Sequence, residues 1–168
     1  PVEVTEGPSQ LIEWADNIDM AGRDLSVFLR EVFKDGFQSG VSYIMVDAPR
    51  QDGVATNQDV INQGLRPFMS HLRVEDVLGW KTKIYGNALA LSQFRIMESV
   101  TVQDPKDEFK QTEVPQVRVL DRQDGGVLVR LYQKNDKGEW MLVENGEYTT
   151  AAPEITVISY YAERTGFM

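Results

Sequence analysis

The second half of the chain alternates apolar and polar residues in short runs, and this constrains the fold more than any other feature of the sequence. Such alternation has the two-residue period of a β-strand with one better-buried face. Turn residues separate the runs at Asp124-Gly125-Gly126, at 135–138 and at Asn145-Gly146, as between antiparallel strands. The sequence therefore predicts an antiparallel meander with strands over 90–102, 114–120, 127–133, 140–143 and 155–161.

The first half carries a helical pattern instead. Apolar residues recur at the three- and four-residue spacing of one helix face at Leu25, Phe28, Leu29, Val32, Phe33 and Phe37. Asp24 or Ser26 can cap the start of this helix, and Gly36 or Gly40 can end it. We also predict a short helix over 9–19 and one or two helical turns over 58–63.

Strands are predicted over 41–46, ending before Pro49, and over 68–72 and 78–83. The stretch 103–111 is rich in charge and predicts a long mobile hairpin loop. Helices thus precede strands, which predicts an α+β fold in which N-terminal amphipathic helices pack on a mainly antiparallel sheet. A length of 168 residues fits one domain, 1–168.

Composition excludes several classes of function. With 26 acidic and 17 basic side chains the net charge is −9, so the electrostatic field repels phosphate and disfavours sequence-independent clamping of nucleic acid. The absence of cysteine excludes thiol chemistry. No apolar run reaches the roughly 18 to 20 residues that a membrane span needs, so we expect a soluble chain with no membrane partner.

The candidates for catalysis are few. His71 is the only histidine, and a zinc site needs further nitrogen or sulfur ligands. No nucleophile-elbow motif surrounds Ser39, Ser42 or Ser70, and the glycines form no phosphate-binding loop. We therefore expect no enzyme and no cofactor, with no catalytic, cofactor-binding or metal-ligating residues.

One acidic cluster keeps a nuclease among the alternatives. Glu75 and Asp76 with Lys81 and Lys83 have the residue types with which metal-dependent nucleases hold magnesium and stabilise developing charge. The two acids lie side by side in a turn, whereas such sites place them on different strands. This spacing disfavours the nuclease.

Aromatic and arginine side chains are expected to serve packing and ion pairing. Aromatic residues that stack nucleic-acid bases need a basic surround, which this chain lacks; we predict core or subunit-interface packing for Trp80, Tyr85, Trp140, Tyr160 and Tyr161. We predict salt bridges to neighbouring acids or to another subunit for Arg23, Arg30, Arg73 and Arg164.

Two segments resemble a family of uncharacterised phage and prophage proteins. Residues 22–33, GRDLSVFLREVF, lead through Gly40 into YIMVDAP at 43–49, which is similar to the family pattern G-x-S-L-x-x-F-A-R followed by I-L-V-D-x-P. Residues 66–81, RPF…RVEDVLGWK, resemble its P-Y…R-A-E-D-I-I-N-W-R segment. The chain departs from the pattern at Asp24, where the family has serine, and at Leu29, where it has alanine.

The members of this family look like portal proteins, the head-to-tail connectors of tailed phages. The resemblance implies that this chain is a central fragment of a longer portal subunit, its α+β wing. It implies a ring of identical subunits through which duplex DNA passes without specific binding, contacts with other phage head or tail proteins, and a location in the bacterial host cytoplasm and the virion. The alternatives are a phage accessory or adaptor module that binds proteins, and the metal-dependent nuclease.

Overall fold

Helices come first along the chain and strands follow. A computed structural model describes residues 9–47, 66–104, 106–123, 126–148 and 154–159. The helices are α1 (Ser9–Ala15) and α2 (Leu25–Ser39); the strands are β1 (Val41–Asp47), β2 (Phe68–Leu72), β3 (Val77–Tyr85), β4 (Ala88–Asp104), β5 (Asp107–Gln123), β6 (Gly126–Lys134), β7 (Trp140–Tyr148) and β8 (Glu154–Ser159). All described strand pairs are antiparallel, which confirms the mixed α+β class with mainly antiparallel sheets.

The contacts divide the chain into two compact units. Unit 1 comprises Pro1–Val74 with Pro153–Met168, and unit 2 comprises Glu75–Ala152. Unit 1 contains a three-stranded sheet in the order β2-β1-β8, and unit 2 a five-stranded sheet in the order β3-β4-β5-β6-β7. That the whole chain folds as one domain stays a prediction.

In unit 1, α2 leads directly into the central strand β1. Asp24 caps the helix by accepting a hydrogen bond of 2.9 Å from the backbone N–H of Val27. Gly40 ends it in the left-handed conformation, φ 82°, which glycine adopts without strain. Asp24, and not Ser26, therefore caps the start of the helix, and Gly40, and not Gly36, ends it. Gly36 lies buried inside the helix.

The core of unit 1 is formed by Phe28 and Val32 of α2 with Ile44 of β1. Phe33 and Phe37 do not share this face, although the spacing predicts one stripe: their exposed fractions are 43% and 74%. At about 100° per residue, Phe37 lies on the opposite side of the helix from Phe28. The predicted stripe is therefore too wide, and Phe28, Val32 and Gly36 form its buried line.

A buried carboxylate organises the loop between α1 and α2. The Asp19 side chain is 2% exposed; Oδ1 accepts hydrogen bonds from the backbone N–H groups of Ala21 at 2.9 Å and Arg23 at 3.1 Å, and Oδ2 accepts one from the Arg23 side chain. The helix predicted over 9–19 ends at Ala15 because Asn17, Ile18 and Asp19 belong to this loop.

The loop is also tied to the neighbouring elements. Arg23 pairs with Glu31 on α2, and its guanidinium lies 5.7 Å from the ring centre of Phe28. The backbone N–H of Met69 in β2 donates to the carbonyl of Ile18 at 2.9 Å. Burial raises the pKa of the Asp19 carboxyl, but the hydrogen bonds from Arg23 and Ala21 outweigh it and hold the pKa below its ordinary value.

In unit 2, five strands form an antiparallel meander, and several of them are longer than predicted. Four of the five predicted meander strands correspond to β4 to β7. The fifth, predicted over 155–161, is wrong as a meander strand, because β8 pairs with β1 in unit 1 and β3 completes the meander instead. β4 and β5 have 17 residues each and pair from Gln93↔Asp121 to Asp104↔Asp107. The predicted mobile loop over 103–111 is wrong, since cross-strand pairing carries both strands to the tip despite the local charge. The predicted turn at Asn145-Gly146 is also wrong, because β7 stays paired with β6 up to Tyr148.

Other local predictions have mixed outcomes. The turn at 135–138 is confirmed: the N–H of Gly138, at φ 79°, donates to the carbonyl of Asn135 at 2.9 Å. The helical turns predicted over 58–63 lie outside the described residues, as do Asp124, Gly125 and the end of the strand predicted over 155–161. That both N-terminal helices pack on the sheet stays a prediction.

Replacing Asp19 by alanine is expected to lower the free energy of unfolding by about 2 to 4 kcal/mol. The reason is that the backbone N–H groups of Ala21 and Arg23 and the Arg23 guanidinium lose a buried charged acceptor. Glu31→Ala is the matched control, because it removes the other carboxylate of Arg23 at a site 48% exposed and is expected to cost less than about 1 kcal/mol. Urea denaturation followed by circular dichroism measures both. Equal losses would contradict the structural role of Asp19.

The lowered pKa of Asp19 gives its contribution a definite pH dependence. A carboxyl with a lower pKa in the folded state than in the unfolded state stabilises fully above the unfolded pKa and loses that contribution as the pH falls. The stability difference between the wild type and Asp19→Asn should thus be constant near neutral pH and shrink below the ordinary value of 3.8. Denaturation curves between neutral pH and pH of about 3 measure it; a difference that grows with acid would contradict the assignment.

Candidate interaction surfaces

The hairpin of β4 and β5 projects past its neighbours. β3 pairs with β4 as far as Ile96, and β6 pairs with β5 starting at Gln116. Residues 97–104 of β4 and 107–115 of β5 are therefore paired only with each other among the described strands; we call them the arm. At about 3.3 Å per residue the arm is roughly 25 Å long. A two-stranded ribbon is only marginally stable alone in water. The arm is therefore a candidate for packing against another protein.

The arm has one apolar and one polar face. Val100 lies opposite Val114, and Val102 lies opposite Thr112. Directly paired residues share a face and successive residues alternate, so Ser99, Thr101 and Gln103 point the other way. Val100 and Val102 are 36% and 46% exposed, and Phe109 near the tip is 89% exposed.

A polar row crosses the apolar face at the base of the arm. Gln116, 6% exposed, donates to Glu98 at 3.2 Å and accepts from Gln133 at 3.0 Å. Arg118 forms an ion pair of 2.9 Å with Glu98. On the sheet side of this row Phe94 and Ile96 are buried, while on the arm side the valines are exposed. The row therefore marks where the core of unit 2 ends and the arm begins.

The tip is held by local polar contacts. Asp104 accepts from the backbone N–H of Lys106 at 2.9 Å and pairs with the Lys110 amine at 3.1 Å; these two contacts lower the pKa of its carboxyl. Gln103 donates to the carbonyl of Asp107 at 2.8 Å. These contacts join the described residues of the tip, where Phe109 is exposed.

Both edges of the unit 2 sheet expose large apolar side chains. β3 and β7 each pair with one neighbour only among the described strands. On β3 the exposed fractions are 46% for Leu78, 50% for Trp80 and 70% for Ile84. On β7 they are 40 to 52% for Trp140, Met141, Leu142 and Val143. Exposed apolar edge strands are sites where another strand adds to a sheet.

The catalytic candidates have structural contacts. His71 Nε2 lies 3.2 Å from Asp35 Oδ2 and joins β2 to α2, as a structural histidine does. The buried Ser42 hydroxyl donates to the carbonyl of Val32 at 3.0 Å. Glu75 and Asp76 lie in a short 3₁₀ turn directly before β3, the strand that carries Lys81 and Lys83. Within the described ranges no three acidic or histidine side chains come together as metal ligands.

The aromatic and arginine predictions are partly settled. Trp80 and Trp140 lie at the two exposed edges of the sheet and outside its core. The sequence predicts either core packing or subunit-interface packing for them, and core packing is wrong for these two. Arg23 forms the predicted ion pairs with Asp19 and Glu31. Tyr160, Tyr161 and Arg164 lie outside the described residues.

Sequence reasoning missed one charged network on the other face of the sheet. Asp121 accepts from Gln93 at 2.7 Å and pairs with Arg130, which also donates to the Tyr132 hydroxyl at 2.9 Å. These residues come from three strands, β4, β5 and β6, so no spacing in the sequence signals the network. The contacts with Asp121 raise the pKa of Arg130.

Comparisons with known proteins add no identification: neither the scan against family models nor the search of curated proteins finds a match. Of the helices that the structure describes, none has the length and apolar character to cross a membrane. The conclusions on function therefore depend on the chain's own surfaces and on the resemblance of its two segments.

The polar row at the base of the arm predicts opposite outcomes for two residues on one face of β4. Phe94→Ala is expected to cost about 3 to 5 kcal/mol of unfolding free energy because it opens a cavity in the core. Val102→Thr is expected to change stability by less than about 0.5 kcal/mol, since the site is exposed and threonine suits a strand. Urea denaturation of both variants measures this. A large loss for Val102→Thr would show that the arm belongs to the core.

Proposed function

We propose that this chain is a structural part of a portal subunit, the wing region of a ring that connects the head and tail of a tailed phage. The observation that carries the proposal is the resemblance of 22–49 and 66–81 to the phage and prophage family. Those residues form the loop, α2 and β1, followed by β2 and the start of β3.

The residues of the resemblance have structural roles that explain their types. Gly22 has a φ of 92°, which side-chain-bearing residues rarely adopt, and Arg23 joins the loop to α2. Asp24 is the helix cap, and serine caps helices about as well as aspartate. Leu29 lies half-buried beside the core cluster, where alanine is smaller but also apolar. Both departures from the family pattern are therefore compatible with the same fold.

The surfaces of unit 2 support an assembly role. A subunit in a ring needs two different surfaces, one for each neighbour. The sheet offers two, β3 and β7, and both expose apolar side chains. The arm supplies a further apolar surface for other head or tail proteins. In this proposal both N-terminal helices pack on the sheet as in a portal wing, and the chain performs no catalysis.

The charge of −9 suits a channel protein that must not bind its cargo. An acidic surface repels the duplex and lets it pass without specific contacts. The subunit would then be made in the cytoplasm of the bacterial host and carried in the virion.

The test is the assembly state of the complete gene product. We expect a ring with a central hole in negative-stain electron micrographs and a mass of several subunits by light scattering, since head-to-tail contacts close rings. The isolated 168-residue chain is the control and is expected to be monomeric, because a portal ring depends on segments beyond the wing. A complete gene product that stays monomeric would overturn the portal proposal and favour the adaptor module.

A further inference from the structure

The two edge strands of unit 2 are matched in length and opposite in charge. β3 is VLGWKTKIY, with two lysines and no acidic residue. β7 is WMLVENGEY, with two glutamates and no basic residue. Each strand has nine residues, and Lys81 and Lys83 are exposed. Opposite charges on neighbouring strands attract, and like charges directly opposite repel.

The sheet topology determines how copies can continue each other. Successive strands from β3 to β7 are antiparallel, so β3 and β7, which lie at the two ends of a five-stranded sheet, run in the same direction. If copies stand side by side around a ring axis, β7 of one meets β3 of the next as a parallel pair. A two-fold dimer would instead place β7 against β7 or β3 against β3 as an antiparallel pair.

Charge distinguishes these two arrangements. A two-fold pairing sets the acidic edge β7 against itself, or the basic edge β3 against itself, while the head-to-tail pairing sets the basic edge against the acidic one. It also buries apolar side chains from both edges, among them Trp80 of one copy and Leu142 of the next, each about half exposed in the single chain. Apolar burial favours pairing of edges in either arrangement, and the charges favour the arrangement that can close a ring.

We propose that β3 of one subunit adds to β7 of the next and joins the unit 2 sheets into one continuous belt around the ring. The partner is therefore a second copy of this chain. The inference rests on the proposed function, because only an oligomer of this chain offers both edges.

Cross-linking tests the contact directly, since the chain contains no cysteine. In the complete gene product, Thr82→Cys on β3 is combined in turn with Met141→Cys and Leu142→Cys on β7, whose side chains point to opposite faces. A short bismaleimide should convert at least one double variant into a ladder of covalent oligomers. The single-cysteine variants are the controls and should stay monomeric on denaturing gels, because head-to-tail pairing never brings two copies of one edge together.

Charge reversal gives a second, independent readout. Lys81→Glu with Lys83→Glu should weaken each subunit contact about tenfold at low salt, as should Glu144→Lys with Glu147→Lys. The combined variant restores opposite charges on the two edges and should recover ring formation to within about threefold of the wild type. The matched control, Lys34→Glu with Lys106→Glu, makes the same charge change at exposed sites off both edges and should leave assembly unchanged. Circular dichroism verifies folding.

The outcomes separate the two proposals. Rings that form but neither cross-link nor respond to charge reversal overturn the edge pairing and leave the portal function standing. Ladders or charge-sensitive association without a ring support the edge pairing and overturn the portal function. Cross-links in a single-cysteine variant would show two-fold pairing and overturn the belt.

Discussion

The conformation of unit 1 depends on one buried carboxylate. Asp19 holds the loop before α2 through backbone donors and the Arg23 guanidinium, and that loop positions the Asp24 cap of the helix. The helix in turn supplies Phe28 and Val32 to the core against β1. A carboxylate can be buried at modest cost only when every bond it needs is present. The loop therefore depends on all of these hydrogen bonds together.

Local signals were predictable from the sequence because they depend on few neighbours. The turn at 135–138 follows from the conformational preferences of a few residues. The same preferences narrow the start of α2 to Asp24 or Ser26 and its end to Gly36 or Gly40, and the structure selects Asp24 and Gly40. The alternation of the second half likewise indicated the meander. The resemblance supplied the proposed function, which composition and spacing alone did not.

What sequence reasoning missed depends on partners far along the chain. Asp19 looks like an ordinary loop residue until burial is known, and Asp121 meets Gln93 and Arg130 only through strand pairing. The charged stretch 103–111 looked like a loop because charge is usual in loops, yet pairing along the hairpin makes most of it strand. Lys81 and Lys83 have the residue type of a nuclease site, but the strand order places them on a sheet edge.

Unit 2 is inserted between two parts of unit 1, and this has a consequence for biosynthesis. β1 pairs with β8, although residues 48–153 separate them along the chain. A ribosome releases all of unit 2 before it releases β8, and compact units fold as they emerge. Until then β1 has an open side that is prone to pair with other chains. The slow, long-range closure of β8 onto β1 is therefore a folding step that is exposed to pairing between nascent copies.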